Sequence, residues 1–496
     1  RKQTSRSIVG WVLDTRLSLQ ANVICYNNTL NNLWRGLMER LYYVKDGRGG
    51  FKECPLPAPR AFENLRKTAR KLGYAIRTSA SRMTKEQFLA KYAGAKRARY
   101  AAAAEVLEKR QLKRSDGFTG AFIKAEFYNA SAKSNPCTRL IQPRRPEYLY
   151  ELGRYIKPIE KRVYKEIDKL FGHHAVLKCD NPVKRAETIS EHWGQFADPV
   201  FLGFDASRFD QHVSVEALEL EHLVYSTAYG GDTLLQQLLE WQVHNVGYGR
   251  TKEGFVRFVK HGGRMSGDPN TALGNVIIMS LVCYHFLEGL NIPYRFIDDG
   301  DDCGVFVDRK HMHLVQALPE HHINYGFEMD VEPPAYTLEQ VEFCQCRPVN
   351  TGNGYVMIRN PHKALNQDTL HIDKQFATLS QQRTAIGICG LALNLDIPVV
   401  GALYASMIGT RDKVVERLID ERPGDFFNCV GSTSAVIPVV EEAVCRASFY
   451  LAFGVLPDHQ VAIEAELRGA GFNHETKLQI LSNELNKTFT YIEQQI

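Results

Sequence analysis

The 496 residues are too many for one compact core and divide into about two to four subdomains. Apolar residues at 44% and charged residues at 24% are ordinary for folded proteins and exclude a largely disordered chain. A formal net charge of +5 is too mild to argue for nucleic-acid binding by itself, so the placement of charge matters more than its sum.

The chain opens on Arg1-Lys2-Gln3 rather than Met, which fits an expressed fragment, a processed product or the downstream part of a longer polyprotein-like product. No basic-then-apolar signal sequence follows. Residues 28–44 carry helical apolar spacing, 46–50 (DGRGG) read as a turn, and a Pro-rich stretch occupies 55–59. Residues 84–114 predict one or two helices dense in Lys and Arg. From Lys124 to Lys165 there are ten Lys or Arg against four Glu, so basic charge is concentrated there. A solvated basic face is the bland alternative. The run 199–205 (PVFLGFD) predicts a buried strand ending on an acid. Residues 271–289 predict a long, mostly buried helix, and 294–307 a hairpin with carboxylates at its tip. From about 345 the chain is expected to be mainly helical. Within it, Ile386 to Gly409 is the most apolar long stretch, but Asn394, Asp396 and Pro398 interrupt it, so a buried helix pair is expected there and no membrane span. The eleven cysteines show no disulfide-like spacing and read as reduced thiols in a cytosolic setting. Cys344 with Cys346 and His311 with His313 lack a partner pair at zinc spacing. His173, His174, His321 and His322 read as surface residues.

Chemistry concentrates in the acids. Asp205 ends a predicted strand, Asp210 follows in FDASRFD, and Asp301 and Asp302 lie in IDDGDD. An acid at a strand end is usually a solvated turn former. Two such ends from distant parts of the chain can meet in one sheet, and carboxylates that close repel unless a cation neutralises them. Magnesium held by carboxylates and substrate phosphates fits, and such a pair clamps the attacking and leaving oxygens of a phosphoryl displacement. EF-hand ligand spacing is absent. Between the acids, SGDPNTALGN (266–275) offers Ser266, Thr271 and Asn275 either as helix-capping polar residues or as partners for a ribose hydroxyl.

Asp205-x4-Asp210, Ser266-Gly267-x3-Thr271-x3-Asn275 and Gly300-Asp301-Asp302, in this order, resemble motifs A, B and C of viral RNA-dependent RNA polymerases. Residues 122–144 resemble motif F of the tombusvirus-like group, 151–164 the run that follows it, and 341–349 its motif E; the resemblance extends more thinly from about 28 to 410. It implies an α+β fold, a closed right hand with an RRM-like antiparallel palm sheet and a helical thumb. Fingers and fingertips would take 1–198, the palm 199–345 with a fingers insertion at about 214–262, and the thumb 346–496.

The implied reaction replicates a positive-strand RNA virus genome, joining ribonucleoside triphosphates to an RNA 3′-hydroxyl with release of pyrophosphate. Asp205, Asp301 and Asp302 would hold two Mg²⁺, with Mn²⁺ as a substitute. Asp210, Ser266 and Asn275 would read the ribose, Thr271 would support them, and Gly267 would let the loop move. Lys124, Lys133 and Arg139 would meet the triphosphate, and Cys344 and Gln345 the primer or initiating nucleotide. The resemblance also implies RNA template and product, starts without a primer, viral replicase or host factors as partners, and work in the host cytoplasm at membranes reached through an anchor outside this chain. At the motif D position stands Asp330 in place of a lysine, and no lysine occurs between Lys310 and Lys363, so Lys310, His321, His322 or water is left to protonate pyrophosphate. A reverse transcriptase would share the acids but has no 2′-hydroxyl to reward Asp210, Ser266 and Asn275. A non-catalytic RNA-binding scaffold would not need every acid.

Overall fold

The computed structural model describes residues 8–10, 23–129, 135–368, 370–372, 376–420 and 438–469. At its centre is a four-stranded antiparallel sheet whose strands lie in the order Arg295–Asp298, Asp302–Asp308, Pro199–Ala206, Met329–Val331. With the helices Thr271–Leu290 and Leu318–Ile323 between strands, the chain order is βαββαβ, the split-βαβ arrangement. Val200, Phe201, Leu202 and Phe204 are almost fully buried because both faces of their strand are covered. Helix Thr271–Leu290 packs in the core on one side. Phe201, Ile297 and Phe306 meet Leu177, Ile189, Val341 and Phe343 on the other. That helix is apolar almost all round, as a helix enclosed by protein must be. Among the described residues it is the one helix long and apolar enough to cross a membrane, yet most of it is buried inside the protein.

A second four-stranded sheet joins segments far apart in sequence. Its order is Phe255–His261, His244–Arg250, Thr119–Ile123, Leu140–Ile141, and Thr119–Ile123 runs parallel to its His244–Arg250 neighbour. Its inner face packs on helix Leu30–Leu37 through Leu33, Leu37, Ala121, Ile123 and Phe258. The C-terminal half of the basic segment lies in the helix Pro146–Phe171, which ends on Gly172 in the left-handed region, where glycine has no Cβ to clash. Its charge does not form one continuous channel. Arg144, just before it, is fully buried, and Arg154 is spent on Glu151 and the Met83 carbonyl.

The C-terminal part departs from the expected onset of helix at 345. A hairpin, Cys346–Asn350 paired with Tyr355–Arg359, comes first. Thr351-Gly-Asn-Gly makes its turn: Gly352 and Gly354 take positive φ, and Thr351 Oγ1 bonds the Gly354 carbonyl. Helices Leu379–Asn394 and Val400–Met407 then form the expected buried pair, split at the polar interruption, over a core of their own with Glu442–Phe453 and Pro457–Gly469.

Candidate active site

Register across the central sheet assembles the acids. Asp302 stands opposite Asp205, and Asp205 stands opposite Asp330 on its other side, so three carboxylates form one row. Opposed side chains in an antiparallel pair lie about 5 Å apart, and like charges there are destabilising. Asp301 precedes the row in the turn, where its carbonyl accepts from the Ala206 amide at 3.1 Å. Burial and the charges of Asp301, Asp205 and Asp299 push the Asp302 carboxyl up to about 7. These four acids line one wall of a cavity of ≈ 890 Å³. Among the described residues no three His, Cys, Asp or Glu converge tightly enough to enclose an ion. Hard carboxylate oxygens on an open wall suit magnesium, which keeps waters and substrate phosphates in its shell.

The other two acids of IDDGDD are structural. Asp298 is fully buried, with Ser280 Oγ at 2.6 Å and the Gly300 amide at 2.6 Å. Asp299 is held by Lys178 at 2.6 Å, by Arg185, and by the Cys344 thiol at 3.3 Å. Gly300 has φ +107°, and a Cβ there would come within 3.3 Å of Asn275. A side chain would therefore wedge the acidic turn off the neighbouring helix.

Asp210 lines this cavity and meets Asn275, which lines an adjoining one, with Asn275 Nδ2 donating to Asp210 Oδ1 at 3.3 Å. Burial pushes the Asp210 carboxyl up to about 6, against the opposing pull of Arg264 and the Asn275 bond. The residue that orients the pair is Arg264, almost fully buried. Its Nε donates to Asn275 Oδ1 at 2.9 Å, its Nη2 to Glu221 Oε2 at 2.5 Å, and its amide to the Asp210 carbonyl at 2.8 Å. Asn270, Gln242, Asp268 and Arg144 continue this buried network. Nothing in GGRMSG marked Arg264 as buried, because its carboxylate partner lies 43 residues away.

Ser266 lines the same cavity, and its Oγ donates to the Leu140 carbonyl at 3.0 Å. Thr271 Oγ1 bonds the carbonyls of Met265 and Asp268, tying the loop to the helix start. At Gly267 a Cβ would lie 2.6 Å from Pro143 Cα, so glycine is required there for close approach of the two backbones.

Of the expected triphosphate contacts, Arg139 lines the cavity. Its guanidinium is paired with Glu126, through Nε at 2.7 Å and through Nη2. Lys124 shares that Glu126 at 3.0 Å. Glu126, unremarked in the sequence, thus pairs with both cations and offsets one of their two charges. Lys133 lies outside the described residues. Arg40, Lys45 and Arg208 also line the cavity.

Cys344 and Gln345 form a tight turn with φ of 50° and 62°. Gln345 reaches the acid-lined cavity, whereas Cys344 lines a second one of ≈ 960 Å³ that shares Asp210, Asp301 and Asp302 with the first. Of the named proton donors, the side chains of Lys310, His321 and His322 line neither of these cavities. Asp308, two residues before Lys310, pairs with Pro199 at the far end of the sheet, about 20 Å from Asp302 at some 3.3 Å per residue. The histidines expected at the surface are built into the protein instead. His322 is buried with Nε2 3.6 Å from Cys283 Sγ, and His321 stacks on His285, with burial pushing its ring down to about 4. His173 bonds the Phe296 backbone, and His174 bridges Asp168 and Asp180.

A family model described as viral RNA dependent RNA polymerase matches residues 10–475. The chain belongs to the viral RNA-dependent RNA polymerase family. It is 40% identical over 445 residues to the RNA-directed RNA polymerase of maize chlorotic mottle virus, covering 88% of this chain and 46% of that protein. It is 38% identical over 454 residues to that of carnation mottle virus (90% and 59%), and 38% over 446 to that of tobacco necrosis virus strain A (88% and 61%). This member of the polymerase family therefore spans about half the length of the relatives it matches.

Proposed function

We propose that this chain is the catalytic portion of an RNA-dependent RNA polymerase that copies the genome of a positive-strand RNA virus. The observation that carries the reading is the meeting of the Asp302–Asp205 row with the Asp210–Asn275 pair at two adjoining cavities: Asp210, Asp301 and Asp302 line both, Asp205 the first and Asn275 the second. The row suits phosphoryl transfer, and the pair a ribose hydroxyl that is both donor and acceptor. Family membership supports the same reading. The fold would be a closed right hand, with fingers at 1–198 and about 214–262, palm in the rest of 199–345 and thumb at 346–496.

In the reaction a 3′-hydroxyl attacks the α-phosphate of a ribonucleoside triphosphate, a P–O bond forms, and pyrophosphate leaves. Asp205 and Asp301 would hold two Mg²⁺ (Mn²⁺ in substitution), with Asp302 secondary, and the ions supply neutralising charge to the attacking and leaving oxygens. Asp210 and Asn275 orient the ribose, with Ser266 beside them. Arg139 takes the triphosphate by exchanging Glu126 for phosphate oxygens, which its planar fork can bind in pairs. Lys124 adds positive charge there, and Lys133 would do so from the same segment. Gln345 and Cys344 abut the primer terminus or initiating nucleotide, and synthesis would start without a primer. Asp330 is acidic, so the proton for pyrophosphate comes from solvent or from a cavity cation and not from the motif D position. Replicase or host factors, and a membrane anchor outside this chain, would place it in the host cytoplasm.

The test offers the protein an RNA template with ribonucleotides or deoxyribonucleotides. Ribonucleotide incorporation that Asp301→Asn abolishes supports the proposal. Incorporation of deoxyribonucleotides alone, or none by the wild type, overturns it.

A further inference from the structure

The second sheet has an outer face of unusual composition. In the hairpin His244–Arg250/Phe255–His261 the inward positions include Gly247, Gly249 and Phe258, while Tyr248, Arg250, Phe255 and Arg257 point outward. Gly247 lies under the Phe258 ring and Gly249 against Leu33, so a side chain at either would collide with the packing on helix Leu30–Leu37. That packing fixes the pleat and drives the alternate residues to solvent. Tyr248 faces Arg257 across the strands and Arg250 faces Phe255. Phe255 is 68% exposed and Tyr248 42%. Arg250 and Arg257 are exposed, and their guanidiniums make no hydrogen bond or ion pair with the described residues. Glu253, the acid of the connecting turn, is engaged by the Leu30 amide at 2.5 Å.

The face continues toward the catalytic cavity. Tyr248 lies tilted by 48° against Phe118, ring centres 6.1 Å apart, and the Arg114 guanidinium sits 5.6 Å from the Phe118 ring. Tyr248, Phe118, Gly120, Pro143 and Arg145 line a groove of ≈ 380 Å³. Pro143 is on the groove side of a segment whose neighbour Gln142 lines the acid-walled cavity, so one stretch of backbone separates the two.

We propose that this face is a platform for single-stranded RNA, over which template passes before it reaches the catalytic cavity. Exposed rings give each base a stacking partner whatever its identity, and unpaired guanidiniums between them meet the phosphates. Charge complementarity selects this occupant: the face offers exposed rings and the guanidiniums of Arg250 and Arg257, against the one carboxylate of Glu253 in the turn, which is held to the Leu30 amide. The direction of travel rests on the polymerase reading, whereas binding does not.

The experiment measures binding of a fluorescent single-stranded RNA of about 20 nucleotides, longer than one such platform covers. Nucleotide addition on a minimal template confined to the catalytic cavity is measured in parallel. Arg250→Gln/Arg257→Gln should reduce the slope of log affinity against log salt by about 0.7 per lost phosphate contact. Tyr248→Ala and Phe255→Ala should each weaken binding about tenfold at fixed salt, the scale of one lost base stack. Minimal-template addition and melting temperature should stay as in the wild type. Unchanged affinity and salt slope in all three variants overturn the proposal. So does a joint fall in melting temperature and minimal-template addition, which would make the face a packing surface for protein. Weakened binding with no nucleotide addition by any form leaves the platform standing and removes the polymerase reading instead.

Discussion

Arg264 and Asn275 are joined by a 2.9 Å bond from guanidinium Nε to amide Oδ1, and that bond leaves the amide nitrogen facing Asp210. A site built around a hydroxyl partner rejects the analogue lacking it. Asn275→Ala is therefore expected to lower ribonucleotide incorporation and narrow the preference for ribose over deoxyribose. Arg264→Lys, which keeps a charge against Glu221 but loses the fork, should narrow it in the same direction. Ribo- to deoxyribonucleotide kcat/KM ratios check both, and an unchanged ratio for Asn275→Ala would remove that residue from sugar recognition.

Asp301 is exposed on the cavity wall. Asp301→Asn should fold and bind RNA near normally while synthesis falls at least ~100-fold, the scale of losing a principal electrostatic stabiliser. Thermal melts, RNA affinity and turnover on one preparation test this; ordinary turnover would dismiss the metal-ligand assignment.

Arg139 enters the cavity already paired with Glu126. Arg139→Ala should raise the nucleotide KM about tenfold, the size of one charge-assisted contact, with template affinity little changed. Glu126→Gln should act oppositely and lower KM, because it frees Arg139 and Lys124. Steady-state kinetics at saturating template distinguish these outcomes from a role for Arg139 in the template path.

His174 sits between Asp168 at 2.8 Å and Asp180 at 2.6 Å, and these bonds raise its ring to about 10 from an ordinary 6.5. A folded pKa above the unfolded one gives stabilisation that is complete below about pH 6.5 and is lost as pH rises toward 10. His174→Gln should therefore be less stable than the wild type at pH 6, with the gap closing by pH 10. Urea midpoints at both values measure it. A gap constant across that range would show that the ring contributes by shape alone.

Lys310 is remote from the acids, and His321 is held uncharged by burial near neutrality. Lys310→Leu and His321→Leu are each expected to leave the alkaline limb of the single-turnover pH profile where it stands in the wild type. A flattened limb in Lys310→Leu alone would make that lysine the proton donor.

The linear order of residues was enough to establish the acids, their motifs, the family and the central element types. Asp205, Asp301 and Asp302 were legible because a buried apolar run ending on an acid has few other uses, and because three motifs in order rarely arise together. SGDPNTALGN likewise announced a polar loop entering a buried helix. Only the tertiary structure decided what these residues touch. Asp330 joins the row because sheet register places it beside Asp205 from 125 positions away in numbering. Arg264 becomes an orienting group because Glu221 lies beneath it, Glu126 masks Arg139, Asp298 is withdrawn into the fold, and Asp299 is paired with Lys178 and Arg185 while Asp301 and Asp302 face the acid-walled cavity. The reason is physical: periodicity and turn chemistry act over a few residues and set the local element. A buried charge, by contrast, takes whatever partner the packing of distant elements brings within about 3 Å, a relation that local sequence does not encode.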